Sequence, residues 1–158
     1  MIYEFDPKLF NPVYWEIQEA LENNNVRFLF VYGGSSGSKT YSVVQAIVIN
    51  MLVNENYNSL VLRKFATDIR DSIYSDFKSI ISSFELNDLF TIQQNFILCN
   101  ETKSYIRFRG LDDSEKVKGI SNFKKVILEE VSQFDEVDFK QIKKRLRGQK
   151  GQQIISMF

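Results

Sequence analysis

The sequence is most strongly constrained by a glycine-rich segment that separates a strand pattern from a helix pattern. The near-continuous apolar run at residues 27–32 has the length of a buried strand, and residues from about 39 to 53 carry a helical pattern. The segment between them, residues 33–37, reads Gly-Gly-Ser-Ser-Gly. A buried strand, a glycine-rich loop and a helix in this order predict a βα unit, the building block of parallel α/β sheets.

Strand and helix patterns continue to alternate along the chain. The further patterns are, in chain order, a strand at residues 59–63, a helix at about 69–84, a strand at 125–128, a polar helix at 135–147 and the start of a last strand at 153–158. Residues 95–99 and 104–109 flank a polar tetrapeptide and predict an inserted hairpin. We therefore predict an α/β fold, with a mostly parallel sheet flanked by helices and an inserted β-hairpin, after an N-terminal arm and helix at residues 1–26.

Composition limits both the size of the domain and its chemistry. The chain has 158 residues, of which 44% are hydrophobic, and its 20 basic residues balance 20 acidic ones. These values predict one compact soluble domain, and the sequence has no pattern of a secretory or membrane-spanning segment. The absence of histidine excludes Ser-His and Cys-His nucleophilic catalysis and His-ligated zinc. The single cysteine, Cys99, lies in an apolar run and is predicted to be a core residue.

The glycine-rich segment begins an eight-residue match to a phosphate-binding loop. The pattern G-x-x-x-x-G-K-[ST] is met at every fixed position except one, where Ser38 replaces glycine. The residues are Gly33, Gly34, Ser35, Ser36, Gly37, Ser38, Lys39 and Thr40. Small residues allow backbone N–H groups to wrap a β-phosphate, Lys39 supplies charge to the β- and γ-phosphates, and Thr40 supplies a hydroxyl for Mg²⁺. The loop predicts binding of ATP with Mg²⁺; the alternative is a glycine-rich βα turn with an incidental lysine.

An acidic pair follows the third strand pattern. The apolar residues 126–128 end in Glu129 and Glu130. A buried strand delivers such carboxylates to the carboxyl edge of the sheet, beside the phosphate loop. We predict that Glu129 holds Mg²⁺, directly or through water, and that Glu130 orients or deprotonates the water that attacks the γ-phosphate. The alternative is a solvated strand end.

The order of these motifs resembles the ATPase domain of the large terminase subunit of tailed bacteriophages, the motor that packages DNA. The supporting segments are the variant phosphate loop at residues 32–42, residues 62–64 with 71–74 after the second strand, residues 106–120 before the acidic strand, and residues 146–148 with 154–158 near the family's coupling motif. The resemblance runs from about residue 10 to the end of the chain.

The resemblance implies a P-loop NTPase fold of the ASCE type, with ATP and Mg²⁺ as cofactors and ATP hydrolysis that drives double-stranded DNA into a procapsid. It also implies the portal protein and the small terminase subunit as partners, a homo-oligomeric ring, no membrane, and action in the host cytoplasm at the portal vertex. Two other functions stay open. One is another P-loop ATPase, such as a helicase-like protein, and the other is a truncated nucleotide-binding or assembly fragment with little catalysis.

The sequence departs from the family pattern in three places. Ser35 stands at the third loop position, where the family often has an arginine that senses the γ-phosphate, and Glu129 stands where the family usually has aspartate. The chain ends at Phe158, before the coupling motif's Asn-Pro and before the nuclease domain. We therefore expect residues 27–158 to be an ATPase domain that is incomplete at its C-terminus, and we expect the isolated chain to be slow or inactive in ATP hydrolysis.

Several other side chains have both a functional and a structural interpretation. The resemblance implies that Arg63, at a strand end, faces the nucleotide, whereas the structural alternative is a solvated charge; Lys118 has the same two interpretations. Tyr14 and Trp15 are predicted to be core aromatics, and the alternative is that they stack on adenine.

The last helix pattern carries a basic run. Lys143, Lys144 and Arg147 are the candidates for contact with DNA phosphates. A solvated helix face is the alternative, because the chain as a whole has no excess of positive charge.

Overall fold

The computed structural model describes residues 2–32, 38–68, 73–112 and 120–158. The predictions on residues 33–37, on 69–72 and on 113–119, which include the glycine-rich segment and Lys118, lie outside the described residues. The helices are α1 (Pro12–Glu22), α2 (Ser38–Val53), α3 (Ile73–Ser83) and α4 (Glu136–Arg145). The strands are β1 (Phe28–Val31), β2 (Ser59–Arg63), β3 (Phe90–Gln93), β4 (Phe96–Cys99), β5 (Tyr105–Gly110), β6 (Lys125–Leu128) and β7 (Gln153–Met157). Within these described ranges, no helix has the length and apolar character needed to cross a bilayer.

The described strands form one sheet in the order β1-β7-β6-β2-β5-β4-β3. The first five strands in this spatial order pair in parallel; they are β1, β7, β6, β2 and β5. The last two pairs, β5 with β4 and β4 with β3, are antiparallel. The predicted α/β fold with a mostly parallel sheet is confirmed. β7 lies between β1 and β6, so the strand before the glycine-rich segment and the strand before the acidic pair are two positions apart.

The predicted hairpin is present as β4 and β5, but it belongs to the main sheet. β5 pairs with β2 along the full length of β2, from Ser59 opposite Ile106 to Arg63 opposite Gly110. The sequence analysis missed β3, which pairs with β4 and forms an edge of the sheet. Only Phe90 of its four residues is buried. Its four residues alternate between apolar and polar types, but an alternation over only four residues is too short to distinguish a strand from a loop.

Apolar cores lie on the two faces of the sheet. The larger core packs α1, α2 and α3 against one face and includes Ile47 and Phe77. α2 is buried around most of its circumference because it lies between α1, α3 and the sheet. The smaller core packs Ile142 of α4 and Leu146 against the other face. Cys99 is fully buried in the larger core, as predicted.

Gly110 ends β5 at a place where the backbone leaves no room for a side chain. A Cβ atom there would lie 2.2 Å from the backbone nitrogen of Ala66. The same nitrogen donates a hydrogen bond of 3.1 Å to the carboxylate of Asp112. The turn after β2 is therefore held directly against the turn after β5, and both lie at the carboxyl edge of the sheet.

A buried lysine ties the opposite edge of the sheet. Lys125 Nζ donates to the carbonyl oxygens of Leu21 (3.2 Å) and Gly151 (3.0 Å) and to Gln153 Oε1 (2.7 Å). Burial lowers the pKa of Lys125 to about 8, and the charge of Lys124 acts in the same direction. These bonds join the end of α1, the start of β6 and the chain that enters β7.

Candidate nucleotide-binding site

The residues on either side of the glycine-rich segment bring Lys39 to the end of β1. α2 begins at Ser38, so Lys39 and Thr40 lie in its first turn. Lys39 Nζ donates a hydrogen bond to the backbone carbonyl of Tyr32, the residue that follows β1. An ammonium group and the N-terminus of a 16-residue helix therefore lie beside the end of one strand. Both features favour an anion at this place.

The acidic pair lies at the same edge of the sheet. β1 and β6 are both parallel to β7, with Val31 opposite Met157 and Leu128 opposite Ser156. Glu129 is therefore level with the last residue of β1. Because neighbouring strands are about 4.8 Å apart, the backbone of Glu129 lies about 10 Å across the sheet from the end of β1.

Glu129 is held by a mostly buried ion pair and by a backbone hydrogen bond. Arg63 Nε donates to Glu129 Oε2 at 3.0 Å, and Arg63 Nη2 lies 3.4 Å from Oε1. The backbone N–H of Ile73, in the first turn of α3, donates to Oε1 at 3.0 Å. Only 14% of the Arg63 side chain and 12% of the Glu129 side chain are exposed. Arg63 is therefore not a solvated charge, and Glu129 joins the ends of β2 and β6 to α3.

Glu130 differs from Glu129 in exposure and in backbone conformation. Its side chain is 52% exposed, and its Oε1 atom lies 4.0 Å from Arg63 Nη2. Its φ of 55° and ψ of 56° lie in the left-handed region, which costs a residue other than glycine about 1 kcal/mol. The two carboxylates thus have different environments. One is buried and paired, and the other is accessible to water.

The oxygen atoms at this edge fit Mg²⁺. This ion prefers hard oxygen ligands and is commonly held by one or two carboxylates together with waters and substrate phosphates. The Thr40 hydroxyl and the carboxylates of Glu129 and Glu130 are ligands of that type. No group of three His, Cys, Asp or Glu side chains among the described residues could form a metal cage without a substrate. Both Glu129 oxygens already accept hydrogen bonds, from Arg63 and from the Ile73 N–H.

A cavity of about 280 Å³ lies beside Lys39. Its lining comes from α1, β1 and the residue after β1, namely Val13, Glu16, Ile17, Leu29, Phe30, Val31 and Tyr32. Tyr14 and Trp15 are not among these residues. Tyr14 is buried in the core, as predicted, whereas Trp15 is 54% exposed and the core prediction for it is wrong. Trp15 packs against Phe10 at the surface because the buried side of α1 is the one that carries Tyr14, Ile17 and Leu21.

The predicted DNA-contacting side chains lie at the end of α4 and just after it. Lys143, Lys144 and Arg147 are all exposed. Lys143 Nζ lies 5.3 Å from the ring centroid of Phe28, which is within cation–π range. These side chains lie on the face of the sheet that is opposite α1, α2 and α3, because α4 packs into the smaller core.

The start of α4 is attached to the end of β2 by residues that the sequence analysis missed. Lys64 Nζ pairs with Asp138, and it lies 3.6 Å from a carboxylate oxygen of Asp135. The bond from Lys64 to Asp138 raises the pKa of Lys64, while the backbone N–H of Asp138, followed by the charge of Lys64, lowers the pKa of Asp135. Asp135 and Asp138 also form a capping box. The spacing of Asp135 and Asp138 at the start of a helix pattern predicts the capping box. The same spacing does not predict that Lys64 pairs with Asp138.

A comparison with known sequences identifies the family. The sequence profile of the family described as "Phage terminase large subunit" matches residues 23–158. The chain belongs to the phage terminase large subunit family. The PBSX phage terminase large subunit of Bacillus subtilis (strain 168) is 30% identical to it over 121 residues. The match covers 76% of this chain and 28% of that terminase, so the chain spans little more than a quarter of the relative's length.

Solved terminases have the same fold. The large terminase of the thermophilic bacteriophage D6E matches with a TM-score of 0.71 at 15% identity, over 94% of this chain and 38% of that chain. That terminase has also been solved in complex with ADP and with ATP-gamma-S. A mutant ATPase domain of the Thermus phage P74-26 large terminase matches with a TM-score of 0.64 at 14% identity, over 97% of this chain and 65% of that chain. The fold of this chain is therefore that of a terminase ATPase domain.

Proposed function

We propose that this chain is the ATP-hydrolysing part of a DNA-packaging motor, which uses Mg-ATP to drive double-stranded DNA into a procapsid. The observation that carries the proposal is the register across β7, which brings the first turn of α2 and the acidic pair to one edge of the sheet. This arrangement suits phosphoryl transfer, in which catalysis consists mainly of positioning and charge stabilisation. Membership of the terminase family supports DNA packaging as the purpose of the hydrolysis.

Each group at the edge has a distinct role in this proposal. Residues 33–40 bind the phosphates, and Lys39 exchanges its bond to the Tyr32 carbonyl for a bond to the nucleotide. Thr40 and Glu129 hold Mg²⁺, which neutralises charge on the transferred phosphoryl group. Glu130 accepts a proton from the attacking water, and Arg63 positions Glu129. The cavity beside Lys39 receives the nucleoside.

Binding of ATP tests the phosphate-loop assignment. Lys39→Ala should abolish detectable Mg-ATP binding in titration calorimetry, because no other described lysine lies at the start of α2. Lys150→Ala is the matched control, since Lys150 is exposed and lies near Lys125 at the opposite edge of the sheet. Equal affinities of the Lys39 variant and the parent chain would refute the assignment.

The remaining parts of the proposal concern the assembled motor, namely its oligomeric state, its partners and the source of its arginine finger. We infer a homo-oligomeric ring at the portal vertex of a procapsid in the host cytoplasm, in contact with the portal protein and the small terminase subunit. An arginine finger accelerates phosphoryl transfer by about 10³ to 10⁵, and Ser35 stands where the family often keeps an arginine. The isolated chain should therefore turn over ATP near the background rate. Turnover at a rate typical of assembled motors would instead indicate a charge supplied within the chain, with Arg63 as the first candidate.

A further inference from the structure

The face of the sheet that carries α4 continues beyond that helix onto β5 and β4. Along β5, Tyr105, Arg107 and Arg109 are half-exposed, whereas the alternate residues are buried in the protein. Tyr105 packs against the smaller core, in contact with Phe123, so the three half-exposed side chains lie on the α4 face. We call Phe96, Tyr105, Arg107 and Arg109 the arginine patch.

Arg107 is fixed in the patch by two aromatic rings. It lies opposite Phe96 in the antiparallel pairing of β5 with β4. The centre of its guanidinium lies 4.6 Å from the ring centroid of Phe96 and 5.5 Å from that of Tyr105. Stacking of this kind holds the plane of the guanidinium but uses none of its N–H groups. In the part of the chain that the structure describes, Arg107 has neither a hydrogen-bond acceptor nor a carboxylate partner.

Arg107 also lines a polar cavity of about 350 Å³. It is lined by Gln94, Asn95, Arg107, Phe108 and Arg109. Gln94 and Asn95 form the turn between β3 and β4, and the backbone N–H of Phe108 donates to the Asn95 carbonyl at 3.0 Å. This bond holds the turn beside the carboxyl half of β5. The cavity thus places Arg107 beside two side-chain amides, and all three groups can donate hydrogen bonds to an anion.

We propose that the arginine patch is a contact surface for the phosphate backbone of double-stranded DNA. The inference rests on the proposed function and names a surface through which the motor would contact its substrate. A planar guanidinium that is held by stacking, and that has no carboxylate partner among the described residues, suits the bidentate recognition of a phosphate diester. The exposed basic side chains Lys143, Lys144 and Arg145 of α4 lie on the same face of the sheet, because Ile142 of that helix and Tyr105 of the patch belong to the same core. A regular polyanion complements such an extended surface better than an isolated carboxylate does.

The test is binding of the chain to fluorescent duplex DNA, measured by anisotropy over a range of salt concentrations. Loss of one phosphate contact lowers the magnitude of the slope of log K against log salt by about 0.9, which amounts to a loss of about eightfold in affinity at 0.1 M salt when the two chains bind equally at 1 M salt. Arg107→Ala should show both effects, equally on two duplexes of unrelated sequence. Arg107→Lys should keep the slope and bind with intermediate affinity, because an ammonium keeps the charge but lacks the planar fork.

Lys8→Ala is the control for loss of a single positive charge. Lys8 is exposed in the N-terminal arm, which packs against α2 through the bond from Gln45 Nε2 to the Leu9 carbonyl, on the other face of the sheet. This variant should bind DNA as the parent does. Parental affinity and slope for Arg107→Ala would overturn the inference, and loss of portal binding by that variant would then assign the patch to an acidic protein partner.

A parent chain that binds no DNA would also overturn the inference. Mg-ATP titration of the same preparation then shows whether the nucleotide part of the proposed function still stands. If the Arg107→Lys variant unfolds in the same transition as the parent, its weaker DNA binding is not caused by loss of folding.

Discussion

The ion pair between Arg63 and Glu129 should contribute far more to stability than an exposed ion pair of the same length. At 3.0 Å and an effective dielectric constant of about 20, two unit charges attract by about 5.5 kcal/mol. Desolvation and side-chain ordering offset part of this attraction. Hydrogen bonds that involve charged groups contribute about 1.5 to 3 kcal/mol net, so we expect a coupling energy of about 2 kcal/mol between the two side chains.

A double-mutant cycle measures this coupling energy. Glu129→Gln keeps an oxygen for the Ile73 N–H but removes the charge that faces Arg63, and Arg63→Gln removes the other charge. Each single variant should lose about 2 to 3 kcal/mol in the free energy of unfolding. The double variant should lose less than the sum by the coupling energy. Urea unfolding followed by circular dichroism gives all four values.

The chain contains a matched control pair for this cycle. Lys140 and Glu136 approach to 3.1 Å, but their side chains are 73% and 82% exposed. A cycle on this pair should give about 0.3 to 0.5 kcal/mol, as exposed helix pairs do. Coupling energies of equal size in the two cycles would refute the reasoning, because burial would then make no difference at the same distance.

Three further predictions concern catalysis, pH and DNA. Glu130→Gln should keep Mg-ATP binding but lower ATP turnover in the assembled motor by about 10²-fold or more, and unchanged turnover would move the role of general base to another group. Burial lowers the pKa of Lys125 to about 8, whereas the ordinary lysine pKa in the unfolded chain is about 10.4. Between these two pH values the unfolded chain holds more protons than the folded chain. The contribution of Lys125 to stability should therefore rise with pH in this window, by up to about 3 kcal/mol. Urea unfolding at pH 8 and pH 10 should show this rise in the parent relative to Lys125→Met, and parallel behaviour of the two chains would contradict it. Joint substitution of Lys143, Lys144 and Arg147 by Ala should weaken DNA binding steeply at low salt without any sequence preference, as measured by anisotropy, and salt-insensitive binding by the parent would argue against contact with phosphates.

The sequence predicted the elements of the fold because each carries a local pattern. The βα unit at the glycine-rich segment, the acidic strand and the last helix were all found within a few residues of their predicted bounds. β3 was missed because three of its four residues are polar or only half-buried. The order of the strands has no local pattern either, since β7 enters the sheet between β1 and β6 from the far end of the chain.

The candidate site was predicted in its residue types but not in its contacts. Glu129 and Arg63 are 66 positions apart, and only the pairing of β6 with β2 makes them neighbours. The left-handed conformation of Glu130 also has no signal in the sequence, because that conformation is usual for glycine or asparagine.

Two consecutive residues at the end of β2 connect the candidate ATP site to the face that would contact DNA. Arg63 binds the acidic pair that follows β6, and Lys64 binds the acidic cap of α4. β2 also pairs with β5, where Leu60 lies opposite Arg107 of the arginine patch. A shift of β2 by one residue, about 3.3 Å, would therefore move its contacts with the carboxylates, with α4 and with β5 together. The candidate ATP site, α4 and the arginine patch are thus each in contact with β2 or with the residue that follows it.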